Sequence, residues 1–253
     1  MKSSKNIFLK SLEALCSWHH VHGSKALVVQ IGANDGRIND PIYEQMVTFR
    51  TATKILLIEP QDDVVDHLKK NYRFHPQATV WNGAIGSTPS LVLYRLKQRY
   101  YDVFTRRYLQ DSPSYRVPTG FTSADHDHVL RHIAGNLPAE ITPQEAIESV
   151  VKPCARLVDV LRAAEWEEKE IDILQIDTEG MDDEAIYASN LDVLQPVIIN
   201  FEYRHIRGSR LQTLASVLKS LGYTLVTYNE SDALAINTKR FKSHGFSLVV
   251  DKK

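Results

Sequence analysis

Short apolar runs closed by glycine, asparagine or aspartate alternate along this chain with longer segments whose apolar residues recur every three or four positions. These are the patterns of buried strands and of one-sided helices. Residues 26–29, 54–58, 79–81 and 91–96 read as strands, and residues 41–49 and 61–72 read as helices, the second with Val64, Val65, Leu68 and Tyr72 on one face. Regularity weakens over residues 97–152, where aromatics and Pro113, Pro118, Pro138 and Pro143 replace clean apolar runs. It returns as a helix at 156–165, a strand at 171–176, a helix from Asp182, a strand at 196–201 and a helix at 211–221 that turns Leu211, Leu214, Val217, Leu218 and Leu221 inward. Strands at 223–228 and 233–236 follow, separated by the turn residues 229–232. Ahead of all these, Ile7, Leu12, Leu15 and Trp18 mark an amphipathic leading helix.

Strands alternating with helices predict an α/β fold with a doubly wound, mostly parallel sheet of seven strands, and the short 228–233 connection predicts an antiparallel strand at one edge. With 253 residues, 43% of them hydrophobic, the chain suffices for one well-buried domain and not for a second independent core. We expect residues 1–253 to form that domain, with a helical extension at 1–25 and an inserted, substrate-binding lid at 97–152. A formal net charge of −1 gives no general attraction to nucleic acid. The one basic stretch, Arg95, Lys97, Arg99, Arg106 and Arg107 interleaved with Tyr100, Tyr101 and Phe104, does not change that expectation. Cys16 and Cys154 lack partner spacing, which points to a reducing, cytoplasmic location. The apolar stretch at 7–9 is broken at Lys10 and Glu13, so neither a signal peptide nor a membrane span is expected.

In such sheets ligands bind beyond the carboxyl ends of the strands. The first strand runs into Gln30-Ile-Gly-Ala-Asn-Asp-Gly36, a turn whose glycines permit close backbone approach. The second ends at Glu59, 24 positions after Asp35, where nucleotide-binding units place an acid for ribose hydroxyls. A dinucleotide fingerprint from Gly32 would need glycine at 34 and 37, where Asn34 and Arg37 stand, so a nicotinamide cofactor is disfavoured. The pattern acidic-x-G-x-G-x-G of class I S-adenosylmethionine enzymes fits better: Gly32 and Gly36 match, Asn34 takes the middle glycine's place and Gln30 the acid's.

Together with Leu57-Ile-Glu-Pro60, Asn82-Gly-Ala-Ile-Gly86 and Asn200-Phe-Glu-Tyr203, the segment Leu174-Gln-Ile-Asp-Thr-Glu-Gly-Met-Asp182 resembles the FkbM family of S-adenosylmethionine-dependent methyltransferases, over residues 26–236. The resemblance implies a Rossmann-like class I fold and O-methylation of a hydroxyl on a small molecule, sugar or natural product. It implies that Gly32, Asn34 and Asp35 line the cofactor, that Glu59 holds the ribose and that Asn82, Gly83 and Ala84 face the adenine. Gln30, Gln61 and Asp177 join that set as neighbouring strand-end residues. The family's usual Asp is Gln30 here, and residues 97–152 carry no family motif, so the acceptor is not specified. A protein that keeps the fold and binds the cofactor without turnover is the alternative.

Methyl transfer to oxygen also requires removal of a proton, for which a carboxylate or histidine is suited. Glu202 and His205, at the end of the 196–201 strand, are the first candidates, and Glu179 is the next. Asp177, Glu179, Asp182 and Asp183 could together ligate Mg²⁺, but Asp182 and Asp183 read as favourable charge at a helix start, and no metal is assigned. His128 and His132 stand four apart as zinc ligands do; without a cysteine or a third fixed ligand they read as part of a solvated lid helix. Tyr100, Tyr101, Phe104, Tyr108 and Tyr115 are candidates for a substrate wall or for packing beneath the insertion.

Overall fold

The computed structural model describes residues 7–108, 112–166 and 171–247. Its main sheet has seven strands: β1 (Ala26–Ile31), β2 (Thr53–Ile58), β3 (Ala78–Trp81), and four that are numbered after a smaller sheet is counted. That smaller sheet comprises β4 (Ala84–Ile85), β5 (Ser90–Leu96) and β6 (Ile147–Ala155). The main sheet resumes with β7 (Ile173–Ile176), β8 (Ile198–Glu202), β9 (Tyr223–Thr227) and β10 (Asp232–Asn237), in the order β3-β2-β1-β7-β8-β10-β9. All neighbours from β3 to β8 are parallel. The antiparallel strand is β10, set between β8 and the edge strand β9.

Two expectations are corrected. The strand read at 91–96 does not join the main sheet; as β5 it pairs antiparallel with β6, which spans the end of the expected insertion and the three residues before the next expected helix. The inserted segment also has a core of its own, in which Phe104, Val129 and Ile133 pack against Leu96 and Ile147. Tyr101 and Phe104 are buried there, so they are packing residues, and the basic stretch is internally engaged: Arg95 pairs with Asp63 and Glu148, and Lys97 and Arg107 donate to backbone carbonyls. The side chain of Tyr108 lies outside the described residues.

Along the parallel strands successive residues alternate between two apolar layers. Val28, Ile55, Leu57 and Ile173 face the helices Ile7–Val21, Tyr43–Thr48 and Asp62–Asn71, while Val29, Leu56, Ile58, Leu174 and Ile176 face Leu157–Ala163, Asp182–Tyr187 and Ser209–Ser220. Both faces are covered, as a parallel sheet requires. In the last of these helices Leu214 and Leu218 are fully buried while Leu221 is exposed. The order reverses at β1, which has β2 on one side and β7 on the other, and the carboxyl ends of these three strands open a crevice. No helix among the described residues is long and apolar enough to cross a membrane.

Candidate active site

The crevice is a cavity walled by residues of the first turn, by Glu59 to Gln61 after β2, by Gly83 to Thr88, by Asp177 to Glu179 after β7, and by the insertion through Arg116, Thr119, Gly120, Thr122 and Ala124. Gln30, Gly32, Asn34, Glu59, Gln61, Gly83, Ala84 and Asp177 all line it. Asp35 and Asn82 do not reach the cavity. Asp35 is 1% exposed and accepts from the backbone N–H groups of Arg37 and Ile38, shaping the turn; Asn82 donates to Asp62 on the surface. The turn's glycines also serve packing. At Gly32, with φ of +78°, a Cβ would lie 1.8 Å from the carbonyl oxygen of Asp177, and at Gly36 it would lie 2.4 Å from Leu68.

Glu59 holds the two halves of this floor together. One carboxylate oxygen accepts from the N–H of Asn34 at 2.8 Å and the other from the N–H of Gln61 at 2.9 Å. Burial pushes its carboxyl up to about 7 against these stabilising hydrogen bonds. Gln61, by contrast, is occupied by the insertion: its amide donates to the carbonyl of Thr119 and accepts from the Thr122 hydroxyl. The insertion is thus clasped onto the motif residues. Asn34 donates to the Thr119 hydroxyl, Tyr115 to Asp35, Arg116 twice to the carbonyl of Ile38, and Ser123 to the carbonyl of Glu179. Residues 115–123 therefore form a lid over the cavity.

The charged lining consists of five carboxylates, Asp40, Glu59, Asp177, Glu179 and Glu184, and one guanidinium, Arg116. Gln30 adds a buried carbonyl oxygen with no hydrogen-bond partner among the described residues. Such a wall suits a ligand bearing a sulfonium and an ammonium, and repels a pyrophosphate.

At the other end of the cavity three of the expected catalytic groups converge. The ligating atoms of Glu179, Glu202 and His205 lie within 4.8 Å of one another, with Glu202 and His205 paired at 3.5 Å. Glu179 lines the cavity; Glu202 and His205 stand behind it. Glu179 has a φ of +53°, a left-handed conformation that costs a non-glycine residue about 1–2 kcal/mol and that aims its side chain out of the β7 end. Burial raises Glu179, and the nearby Asp177 carboxylate adds to it. Burial and the neighbouring carboxylates of Glu179, Asp177 and Asp182 push Glu202 up to about 8. Burial, then the charge of His128 and His132, push His205 down to about 4. At neutral pH the pair is a carboxylic acid beside a neutral imidazole.

Asp182 and Asp183 are more than charges at a helix start. Asp182 is fully buried and accepts from Thr178 and from the backbone N–H of Glu202, tying the ends of β7 and β8 together; Asp183 pairs with Arg210. The residue that sequence reasoning missed is His128. Its helix, His126–Ile133, is not a solvated one: His128 is 2% exposed, with Nε2 3.3 Å from Glu179 and its ring edge-on to His205 at 4.8 Å. The signal lay in Val129 and Ile133, which continue the buried face beside His128.

The sheet order, the strand-end cavity and its acidic wall define a class I methyltransferase. The Methyltransferase FkbM domain model matches residues 30–225, and the chain belongs to that family, whose cofactor is S-adenosylmethionine. Solved structures of similar fold include an O-methyltransferase from Bacillus cereus in complex with SAH (7% identity, TM-score 0.40, covering 90% of this chain and 80% of that one). Others are a putative O-methyltransferase from Klebsiella pneumoniae (11%, 0.41, 92% and 81%) and a precorrin-6y C5,15-methyltransferase from Geobacter metallireducens (10%, 0.39, 93% and 90%). No curated protein matches the chain.

Proposed function

We propose that this protein is an O-methyltransferase that acts on a hydroxyl of a small molecule, sugar or natural product. The observation that carries the reading is the convergence of Glu179, Glu202 and His205 beside the cofactor cavity, at the carboxyl ends of β7 and β8. S-adenosylmethionine supplies a sulfonium methyl group. The cavity floor, with Glu59 toward the ribose and Gly83 and Ala84 toward the adenine, orients that methyl toward the acceptor, and the lid residues 115–123 exclude water. Good orientation alone can account for about 7–11 kcal/mol of a barrier. Transfer to the acceptor's oxygen would break the carbon–sulfur bond and leave S-adenosylhomocysteine, and the hydroxyl proton would go to the neutral imidazole of His205, with Glu202 beside it and Glu179 lining the cavity between them and the acceptor. Two buried free thiols, Cys16 and Cys154, support a reducing, cytoplasmic setting.

The test is transfer of labelled methyl to a panel of hydroxylated acceptors, with calorimetry of S-adenosylhomocysteine binding alongside. Glu202→Ala and His205→Ala should each lower turnover by roughly 10²- to 10⁴-fold and leave cofactor affinity close to wild type. Unchanged turnover in both, and in Glu179→Ala, removes the base assignment. Cofactor binding without methylation of any acceptor favours a binding protein instead.

A further inference from the structure

The cluster at the acceptor end holds more ligating atoms than proton transfer needs. Two carboxylates, Glu179 and Glu202, approach each other from the ends of adjacent strands, and among the described residues both pair with imidazoles and neither with a lysine or arginine. Arg116 favours the ionised form of Glu179 without pairing with it. Two carboxyl groups packed this closely hold protons that a cation would displace.

His128 is the independent sign that a ligand belongs there. It comes from the insertion, 51 positions before Glu179 in the chain. Its side chain is 3% exposed, and among the described residues its buried Nε2 makes no hydrogen bond although it is aimed at the Glu179 carboxylate. His132 lies alongside with its ring 4.2 Å from that of His128, and its Nδ1 donates to the His128 carbonyl, which holds it against the cluster. The contact of 3.5 Å between His205 and Glu202 matches the edge of about 3.4 Å that separates ligands around a tetrahedral ion, and the contact of 3.3 Å sets His128 against Glu179, where a group that orients a ligand stands.

We propose that Glu179, Glu202 and His205, with His128 of the insertion set behind Glu179, bind one divalent transition-metal ion of the manganese, iron or zinc kind at the acceptor end of the cavity. That location as the acceptor end rests on the function proposed above. An imidazole with two carboxylates favours such ions over Mg²⁺ and Ca²⁺, which prefer oxygen alone, and three protein ligands leave a position open. The ion would balance both carboxylates and offer a coordination position to the acceptor's oxygen. Since His128 reaches the site only from the insertion, ion binding would also fix that segment in place.

The test is calorimetric titration of the full-length protein, first stripped with a chelator, with Mn²⁺, Zn²⁺ and Mg²⁺ in turn and with no nucleotide or acceptor present. One Mn²⁺ or Zn²⁺ per chain is expected, with Mg²⁺ at least tenfold weaker. Glu202→Gln, which keeps the side chain's shape, and His205→Ala should each weaken Mn²⁺ binding at least tenfold, and His128→Ala about 10- to 100-fold. The exposed Asp159→Asn should bind as wild type. Absence of stoichiometric uptake by the wild type, or wild-type affinity in Glu202→Gln and His205→Ala, overturns the proposal. The two proposals fail separately: a protein that takes up no ion but methylates an acceptor would refute the ion and leave the function standing, and one that takes up the ion but methylates nothing would do the reverse.

Discussion

In the role proposed for it at the ribose, Glu59 would trade stability for binding. Its carboxyl is raised from an ordinary 4.5 to about 7 by burial, with the nearby Asp63 adding to the effect. Between those values the folded chain keeps a proton that the unfolded chain loses, so the fold loses stability as pH rises through the window, by an amount on the order of 3 kcal/mol at pH 8. Glu59→Gln removes that penalty. The ligand-free variant should melt at a higher temperature than wild type at pH 8 and at nearly the same temperature at pH 4, read by scanning calorimetry. Cofactor binding should move the other way, because the ionised carboxylate is the stronger acceptor for ribose hydroxyls. Wild-type affinity for S-adenosylhomocysteine should rise from pH 6 to pH 8, while that of Glu59→Gln stays low and flat; parallel pH curves for the two proteins would contradict the assignment. Gly32 gives a simpler expectation. Gly32→Ala must adopt φ of +78° and displace a backbone carbonyl of β7's end, so it should cost more than the about 1–2 kcal/mol of a left-handed residue alone. A melting temperature within about 2 °C of wild type would show that the two strand ends can separate cheaply.

Among the elements, the insertion between β5 and β6 is the one whose position decides access to the cofactor. Its hydrogen bonds fall on Asn34, Asp35, Ile38 and Gln61, residues of the two turns that form the cavity floor. Release of bound nucleotide therefore requires these contacts to break. Arg116→Ala removes two charge-assisted hydrogen bonds to Ile38, each worth about 1.5–3 kcal/mol, and should speed S-adenosylhomocysteine dissociation at least tenfold in stopped-flow displacement. An unchanged rate would mean that the nucleotide leaves without lid opening. The insertion was legible in the sequence as a lid at 97–152 but its contacts were not, whereas β1, β2, β7 and β8 were legible with their functional ends, and the difference is physical. Those four strands are continuous apolar runs that end in glycine, asparagine or acid, so both the strand and its functional end are local signals. Strand β6 is half solvated, with Val151 69% exposed and Pro153 within it, and lacks such a run. Strand β5 was visible as a strand, but periodicity does not specify which neighbour a strand pairs with. His128 was hidden for the same reason, since Glu179 and His205 lie far along the chain and only the folded insertion brings them together.

At the scale of the whole molecule, the matched family domain at 30–225 is not sufficient to cover its own sheet. One face, formed by Val28, Ile55, Leu57, Ile173, Ile198, Leu234 and Ile236, is closed partly by Phe8, Leu12, Leu15 and Cys16 of the leading helix and by Phe241 of the helix Thr238–Ser243. Polar contacts fasten both elements at Asp172, the residue just before β7: the carboxylate accepts from the backbone N–H of Leu27 and meets His19, Arg240 and His244. If the leading helix were an appendage, trimming its buried face would cost little. Because Leu12 is fully buried against strands that also carry the site, Leu12→Ala should destabilise the protein by about 2–5 kcal/mol in urea denaturation, as core leucines do. The lost stability should appear in the same single transition that reports loss of S-adenosylhomocysteine binding, since β1 and β7 are common to the covered face and to the cavity floor. A cost below about 1 kcal/mol, or a separate early transition for the helix, would show that the sheet is closed by the family domain alone.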